Sequence, residues 1–476
     1  MKTVFLFVDK PTFIGDLLKT QYLSYLASKF KVVVFTNHAN DETASDFGYR
    51  KHSNISYIRW QIRNQKLLDI MKFLRFSCTR EFDHLTTTRH LRNRRGQDGS
   101  KTLLRIISAP FGWLITSRFL YKIESFLVKG LPEFLNYTKQ YKPDLVLTST
   151  PGLNNFEAEA ILLSNKAGIP TVAVNCGWDN LTTRSTRVRP TKYLIAWHEP
   201  MRQEAIRIHN FLPDRVFVSG PMRYDYYVTK EEKAITRGNF LRSKNLNPKY
   251  KTILYTTQKN HFFEEAFIHQ LIDLRDESKI PYTNILIRVH PLASPNRYKK
   301  FSDIKDVYLD RPEKMLSDDD LVNLKYLISY SDLNINYSST ISLEAMLFDK
   351  PVINYYEPSL KSFELNHYFP LVEAKAVQLI NNGKLELAEA INEYLDNPDK
   401  DAEKRKKLAA IYFPFRDGFS YKRNVDLLEQ IIDPLLKNTT LQLFFNGDGE
   451  SRYKECIKKM AEKYPQRVSY SLEFET

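Results

Sequence analysis

Short, unbroken apolar runs alternating with helix-periodic segments constrain this chain more than any other feature. Val4 to Val8 is a continuous apolar run, Leu17 to Phe30 carries apolar residues at helical spacing, and Lys31 to Phe35 ("KVVVF") is a second apolar, β-branched run. A strand buried on both faces reads as such a run, whereas a half-exposed strand alternates. Strand, helix, strand in succession predicts a βαβ unit, hence a parallel sheet with right-handed crossovers. The rhythm returns at Asp144 to Leu147, Phe156 to Ala167 and Pro170 to Val174, with Tyr193 to Trp197 and Val216 to Ser219 as two further strands.

A second block begins near Tyr250. Lys251 to Thr257, Asn284 to His290, Val307 to Leu309, Leu333 to Asn336 and Pro351 to Tyr355 read as strands. Glu264 to Arg275, Asp320 to Ser329 and Ser342 to Phe348 read as helices. The expected organisation is an N-terminal domain over 1–228, a C-terminal domain over 229–436 and a tail over 437–476. Both domains are α/β, with Rossmann-like parallel sheets facing a central cleft, where ligands bind beyond the carboxyl ends of strands. Between the first two βαβ passages lies 63–141, which reads as amphipathic helices without strands. The tail opens "LQLFFNGDGES" and resembles the start of a glycogen-synthase-type domain, over too few residues for a core.

Composition bounds the partners. Hydrophobic content of 42% and charged content of 26% are those of a folded globular chain. Cys78, Cys176 and Cys456 form no C-x-x-C pair, so they are expected to be reduced thiols of a cytoplasmic protein without structural zinc. Val4 to Val8 is too short for a signal-peptide core, and no run of about 18 apolar residues is present to span a membrane. Net charge is +14; between Arg59 and Arg105, 12 basic residues face 4 acidic ones, a local excess of +8. Such a segment either attracts something anionic, whether lipid headgroups at the inner membrane face, nucleic acid or a phosphorylated acceptor, or is a solvated helical face. No zinc finger, recognition helix or RNA-binding signature accompanies it, which sets nucleic acid aside.

Two stretches carry polar groups at strand exits. In "NYSSTISLEA", Ser338, Ser339 and Thr340 follow a strand and open a helix, where unpaired N–H donors favour phosphate. A single helix cap is the plainer reading of one such hydroxyl. Glu344, four residues after Thr340, shares its helix face and suits the vicinal hydroxyls of a ribose. "IRVHP" sets Arg288 and His290 on one strand face. In "VNCGWDNLTTRS", Trp178, Asp179, Asn180 and Thr182 leave a strand, with an Asx-turn as the alternative use of Asp179 and Asn180.

Arg288, His290 and Pro291, then Ser331 and Asp332, Ser338 to Thr340, Glu344 and Lys350 to Ile353 together resemble the nucleotide-binding half of GT-B glycosyltransferases. By motif the nearest groups are CDP-glycerol glycerophosphotransferases and non-hydrolysing UDP-N-acetylglucosamine 2-epimerases. The resemblance implies that Ser338, Ser339 and Thr340 hold a donor diphosphate and Glu344 the ribose. His290 would touch the phosphate or transferred group, with Arg288 beside it. Thr256, Thr257 and Lys259 of "YTTQKN" would complete the cradle, and "LDRPE" (309–313) would lie at the base.

Trp178 to Thr182, followed by Gly220, Pro221 and Asp225, resembles a branch of GT-B polysaccharide transferases. Where glycerophosphotransferases carry a His in a Trp-His-Gly signature, this chain has Gly177, Trp178 and Asp179. That departure makes Asp179 the candidate base, accepting a proton from an acceptor hydroxyl as it attacks an anomeric carbon. Asp16 or Asp9 is the second choice. Trp178, Asn180, Thr182 and Asp9 would contact acceptor or sugar, and His198 and Glu199 would approach the donor.

The implied activity is metal-independent glycosyl transfer from a nucleotide sugar, a co-substrate rather than a cofactor, to a cell-surface polysaccharide or lipid-linked glycan. The alternatives are a 2-epimerase-like isomerase, a phosphopolyol transferase of the CDP-glycerol kind, and a non-catalytic scaffold.

Overall fold

The computed structural model describes residues 1–95, 107, 111, 114–229, 234–258, 263–294, 296–312, 318–356, 367–381 and 383–433. The 437–476 segment and Lys259 lie outside them. Thirteen strands among these residues form two parallel sheets. The first contains β1 (Thr3–Phe7), β2 (Lys31–Thr36), β3 (Ile55–Arg59), β4 (Leu145–Thr148), β5 (Thr171–Val174), β6 (Tyr193–Ala196) and β7 (Val216–Val218), ordered 3-2-1-4-5-6-7. The second contains β8 (Thr252–Thr256), β9 (Asn284–Arg288), β10 (Val307–Asp310), β11 (Leu333–Asn336), β12 (Val352–Tyr356) and β13 (Gln378–Asn381), ordered 10-9-8-11-12-13. Strand order reverses between β1 and β4 in the first sheet and between β8 and β11 in the second, which makes those two strand ends the switch points where ligands seat.

The unbroken apolar runs are explained by burial on both faces. Val4, Leu6 and Val8 pack on one side with Leu17, Leu23 and Leu26. Phe5 and Phe7 pack on the other with Phe35, Trp60, Phe134 and Phe156. The expected Leu17 to Phe30 helix is two helices, Pro11–Leu18 and Gln21–Lys29. The chain breaks between them at Lys19 and Thr20, where the Thr20 hydroxyl accepts the Tyr22 N–H at 3.3 Å and caps the second helix. β3 and β13 were not expected. β3 has a mixed burial pattern at a sheet edge, so it lacks the apolar run that marks a central strand.

Among the described residues the chain divides at 225/226 and 412/413, while the expected 436/437 boundary lies outside them. One unit comprises Met1–Asp225 and, among the described residues, 413–433; the other comprises Tyr226–Tyr412. The reason is the Ser420–Ile432 helix, which returns to the first unit. Tyr22 donates to Asn424 at 3.2 Å, Tyr25 to Asp426 at 3.1 Å, and Lys29 pairs with Glu429 at 3.1 Å. Asp225 caps that helix, accepting the N–H groups of Ser420 at 3.0 Å and Tyr421 at 2.8 Å. Gly220 has φ +89°, and a Cβ there would stand 2.5 Å from Ser420 Oγ. The Gly-x-x-x-x-Asp segment is thus a fitted seat for the last helix.

The described part of the 63–141 stretch carries the helices Gln65–Cys78, Thr86–Arg95, Ser117–Leu127 and Leu131–Tyr141. Its charge is not all outward. Arg75 is buried and donates to Glu124 at 2.9 Å; Arg189, beyond β5, reaches the other Glu124 oxygen at 2.6 Å. Arg92 is buried against Asp83. These cations fasten the insertion internally and do not contribute to an outward basic face. No helix among the described residues is long and apolar enough to cross a membrane.

Candidate active site

In the second unit the strand register assembles one row across the sheet. Asp310 pairs with Arg288, Arg288 with Thr256, Thr256 with Asn336, and Asn336 with Asn354. The loops leaving this row are stitched together. The Thr257 hydroxyl accepts the His290 backbone N–H at 2.9 Å, and the Gln258 side chain donates to the Tyr337 carbonyl at 2.8 Å. The Gln258 backbone N–H is held by buried Glu264, which also accepts from Tyr298 at 2.7 Å. Burial pushes the Glu264 carboxyl up to about 7. His290 Nδ1 accepts the Leu292 N–H at 3.0 Å, so the neutral ring carries its proton on Nε2. The Thr256 hydroxyl is buried with no hydrogen-bond partner.

The hydroxyl run sits on this row. Ser338 adopts φ +45°, a left-handed conformation uncommon outside glycine, and the helix begins only at Ile341. The Ser339 N–H donates to Asn336 Oδ1 at 2.9 Å. Asn336 is the hub of a buried network through Asn334, Ser342 and Asn354, closed by Tyr368. Ser338 to Thr340 therefore form a loop shaped from beneath rather than a first helical turn.

Two expected ligand groups are already occupied. Arg288 is buried, and its guanidinium is divided between Asp310 and Asp320, the latter at 2.6 Å. Glu344 is buried and accepts from the Tyr227 hydroxyl. Arg311, just past β10, has Nε and Nη2 sealed from solvent with no hydrogen-bond partner. Arg311 is part-buried, and sealed donors that find no acceptor among the described residues are costly unless one arrives. Arg311 thus has donors to spare at this edge, where Arg288 is committed to Asp310 and Asp320.

In the first unit the exits of β1, β4 and β5 lie side by side, with Phe7 opposite Thr148 and Thr148 opposite Ala173. Asp179 starts the short Asn180–Thr183 helix but makes no side-chain cap bond, so its carboxylate is not spent on an Asx-turn. Thr183 Oγ1 holds it at 3.0 Å. Asn180 is buried and donates to Asn175 at 2.9 Å, the Thr182 hydroxyl donates to the Asp179 carbonyl at 3.2 Å, and Trp178 is buried. These three, expected to touch a ligand, shape the loop that carries Asp179. Gly177 belongs to the same fit, because a Cβ there would stand 2.6 Å from the Asn180 amide.

Charge around Asp179 is cationic. Arg223 grips Asp16 bidentately at 2.9 and 2.7 Å, which commits that alternative base to an ion pair. Asp9 accepts the Asn37 N–H at 3.1 Å and faces His38 at 3.4 Å. Lys10 is half-buried; burial and then the neighbouring Arg184 lower its proton affinity, with Arg223 adding and Asp179 opposing. Among the described residues neither Lys10 nor Arg184 has a carboxylate ion-pair partner. Ser149 and Thr150 are turned to buried Glu157, which burial lifts to about 7.

Residues 165–430, more than half of the chain, match the family model for CDP-Glycerol:Poly(glycerophosphate) glycerophosphotransferase. The chain belongs to this glycerophosphotransferase family. It is therefore a transferase by class. No curated protein matches it closely enough to add a relative. Among solved structures it resembles UDP-GlcNAc 2-epimerase from Neisseria meningitidis bound to UDP-GlcNAc, with TM-score 0.53 and 16% identity over 90% of this chain and 100% of that one. It also resembles the S. aureus MnaA–UDP structure, with TM-score 0.55 and 14% identity over 91% and 97%. A third likeness is a variant of the wall teichoic acid polymerase TagF, with TM-score 0.51 and 11% identity over 92% and 90%. At such identities these likenesses concern the GT-B-like fold.

Within this glycerophosphotransferase-family chain, several positioning residues carry no sequence signal of their own. Gln258, Asn336 and Asn354 are polar residues at strand ends, recognisable only once the register aligns them. His198 runs the other way: it is buried, accepts the Met201 N–H on Nδ1 at 3.1 Å as a helix cap, and is depressed to about 3 by burial. It is a neutral structural group rather than a ligand.

Proposed function

We infer that this protein transfers a group from a nucleotide-activated donor to a hydroxyl of a phosphate-bearing cell-envelope polymer. The observation that carries the reading is Asp179, oriented by Thr183 and not used as a cap, near Lys10 and Arg184, which have no carboxylate ion-pair partner among the described residues. A carboxylate in that setting accepts the proton of an attacking hydroxyl. The cations receive an anionic group close to that hydroxyl. In the second unit, Ser338 to Thr340, Thr256, Thr257, His290 and Arg311 would receive the donor phosphates and base. The donor is a co-substrate, and no cofactor enters the reaction.

Glycosyl transfer is the first reading, because Asp179 stands where the family signature has His. Phosphopolyol transfer is the second, favoured by the family match itself. Incubation with UDP- and CDP-sugars and with CDP-glycerol, each with a phosphate-bearing and a neutral acceptor, tests both. Turnover with the phosphate-bearing acceptor alone is expected. Product from a UDP-sugar without acceptor overturns the reading in favour of isomerisation.

The insertion supports a location at a membrane surface. On the Ser117–Leu127 helix Leu120 and Glu124 face inward, while Phe119 and Phe126, seven residues apart, share the outer side with Lys122. Phe126 is 83% exposed. Exposed aromatics interleaved with lysine fit an anionic lipid surface, and the reading places the protein at the inner face of the cytoplasmic membrane.

A further inference from the structure

The Glu199–His209 helix packs against the loop that carries Asp179. His209 Nε2 meets the Leu181 carbonyl at 2.8 Å, and the Asn175 amide contacts Met201 Sδ at 3.1 Å. Met201, Ala205 and Ile208 are the buried residues of this helix. Glu204 lies three residues after Met201 and four before Ile208, on that same inward side. Glu204 as a whole is part-exposed, but its Oε2 is sealed from solvent and has no hydrogen-bond partner among the described residues. A carboxylate sealed away in this manner would be strongly disfavoured, and a neutral acid much less so.

We propose that Glu204 is a second carboxyl of the Asp179 site, a positioning residue that stays neutral so that Asp179 is the single anion at the exit of β5. The inference rests on the reading of Asp179 as base. In the transfer step the acceptor O–H bond breaks, its proton goes to Asp179, and the oxygen bonds to the transferred group. The nucleotide leaves with the bonding pair. Glu204 keeps its proton throughout. Burial first, and then the charge of Asp179, raise Glu204 to about 8.

The other groups facing this helix do not supply a counter-charge. Arg202 is taken by Glu199 at 3.0 Å, and Arg207 is exposed. His198 is neutral, and His209, depressed to about 4 by burial, also feels His84. Arg184 and Asp179 both act on Lys10, whereas the charge acting on Glu204 is that of Asp179. Ionising Glu204 would therefore set a second negative charge against Asp179, and among the described residues no cation pairs with Glu204.

Thermal unfolding of the full chain and of E204Q from pH 5 to 8.5 tests the protonation without needing a substrate. The unmutated protein should lose melting temperature relative to E204Q as pH rises toward about 8; parallel curves overturn the proposal. In D179N the same loss should saturate at lower pH, and an unmoved profile overturns the coupling. With the donor that turns over, kcat/KM should fall above about pH 8 and E204Q should lack that fall; an identical alkaline limb in both overturns the role. Absence of turnover with every donor would sink the transfer reading, while the unfolding curves still decide Glu204. If E204Q does not fold, the infrared band of a protonated carboxyl in the unmutated protein, and its earlier loss in D179N, gives the same decision.

Discussion

Thr183 Oγ1 lies 3.0 Å from Asp179 Oδ2 and 2.8 Å from the carbonyl oxygen of the same residue. One hydroxyl thus fixes both the carboxylate and the backbone that presents it, leaving Oδ1 for other use. D179N should lower kcat by about 10²–10⁴-fold, the range for loss of a general base, with little change in donor KM. T183V, which keeps the shape and removes the hydroxyl, should cost less and act on the same constant. Steady-state kinetics of both variants checks this; a D179N enzyme of normal kcat removes Asp179 from the reaction.

The donor side makes a different kind of prediction. Asn336 accepts the Ser339 N–H and ties the loop to Ser342, Asn354 and Tyr368. N336A would strand several buried polar groups, at about 1–3 kcal/mol each when left unsatisfied. The expected result is a higher donor KM together with a lower melting temperature. S339A should leave the melting temperature nearly unchanged, because the donor to Asn336 is its backbone N–H.

Glu124 is held by Arg75 and Arg189, and all three are buried. Removing the shared anion leaves two guanidinium groups without it, and breaking a buried pair in this way costs about 3–5 kcal/mol. E124Q should therefore unfold at markedly lower denaturant concentration than the unmutated protein. R75M alone should be milder, since Arg189 still meets Glu124.

Stability should also respond to pH with a definite sign. Glu157 and Glu264 are raised by burial to about 7, above the ordinary 4.5 of an unfolded chain. Between those values the folded state keeps protons that the unfolded state has released, so stability falls as pH rises toward 7. His198 and His209, depressed to about 3 and 4, act oppositely: the unfolded chain binds protons below 6.5 and stability falls as pH falls. The two trends offset between about 4.5 and 6.5, and above that the carboxyl trend stands alone. The melting temperature should decline from pH 6.5 through about 7, with Glu204, raised to about 8, extending the fall, and E157Q should decline less.

At the membrane, replacing both Phe119 and Phe126 with Ser should weaken binding to vesicles containing anionic lipid. Raising salt should weaken what remains, as expected for a lysine contribution. Cosedimentation measures both, and equal binding to neutral vesicles would remove the charge from the account.

The fold was legible where strands are buried on both faces, because β1, β2 and β8 then appear as unbroken apolar runs. β3 and β13, at sheet edges, have mixed exposure and no such run. The loops of the candidate site were legible as clusters of hydroxyls and charges, but not what each side chain does. Arg288 looked like a phosphate ligand in its motif, yet Asp310 and Asp320 come from elements whose closeness only the register reveals. Arg311 and Glu204 stand out only by a missing partner, a property that no local pattern encodes.

Asp225 binds the amino end of a helix that follows it by nearly two hundred residues, and the Tyr224 ring meets Phe413 at 5.4 Å. The stretch 226–412 is consequently a cassette spliced into a host whose two loose ends already touch. A gene with those residues replaced by a few glycines and serines should yield a self-standing first lobe, whereas one simply ended at Tyr412 should not, for it lacks a wall of its own core.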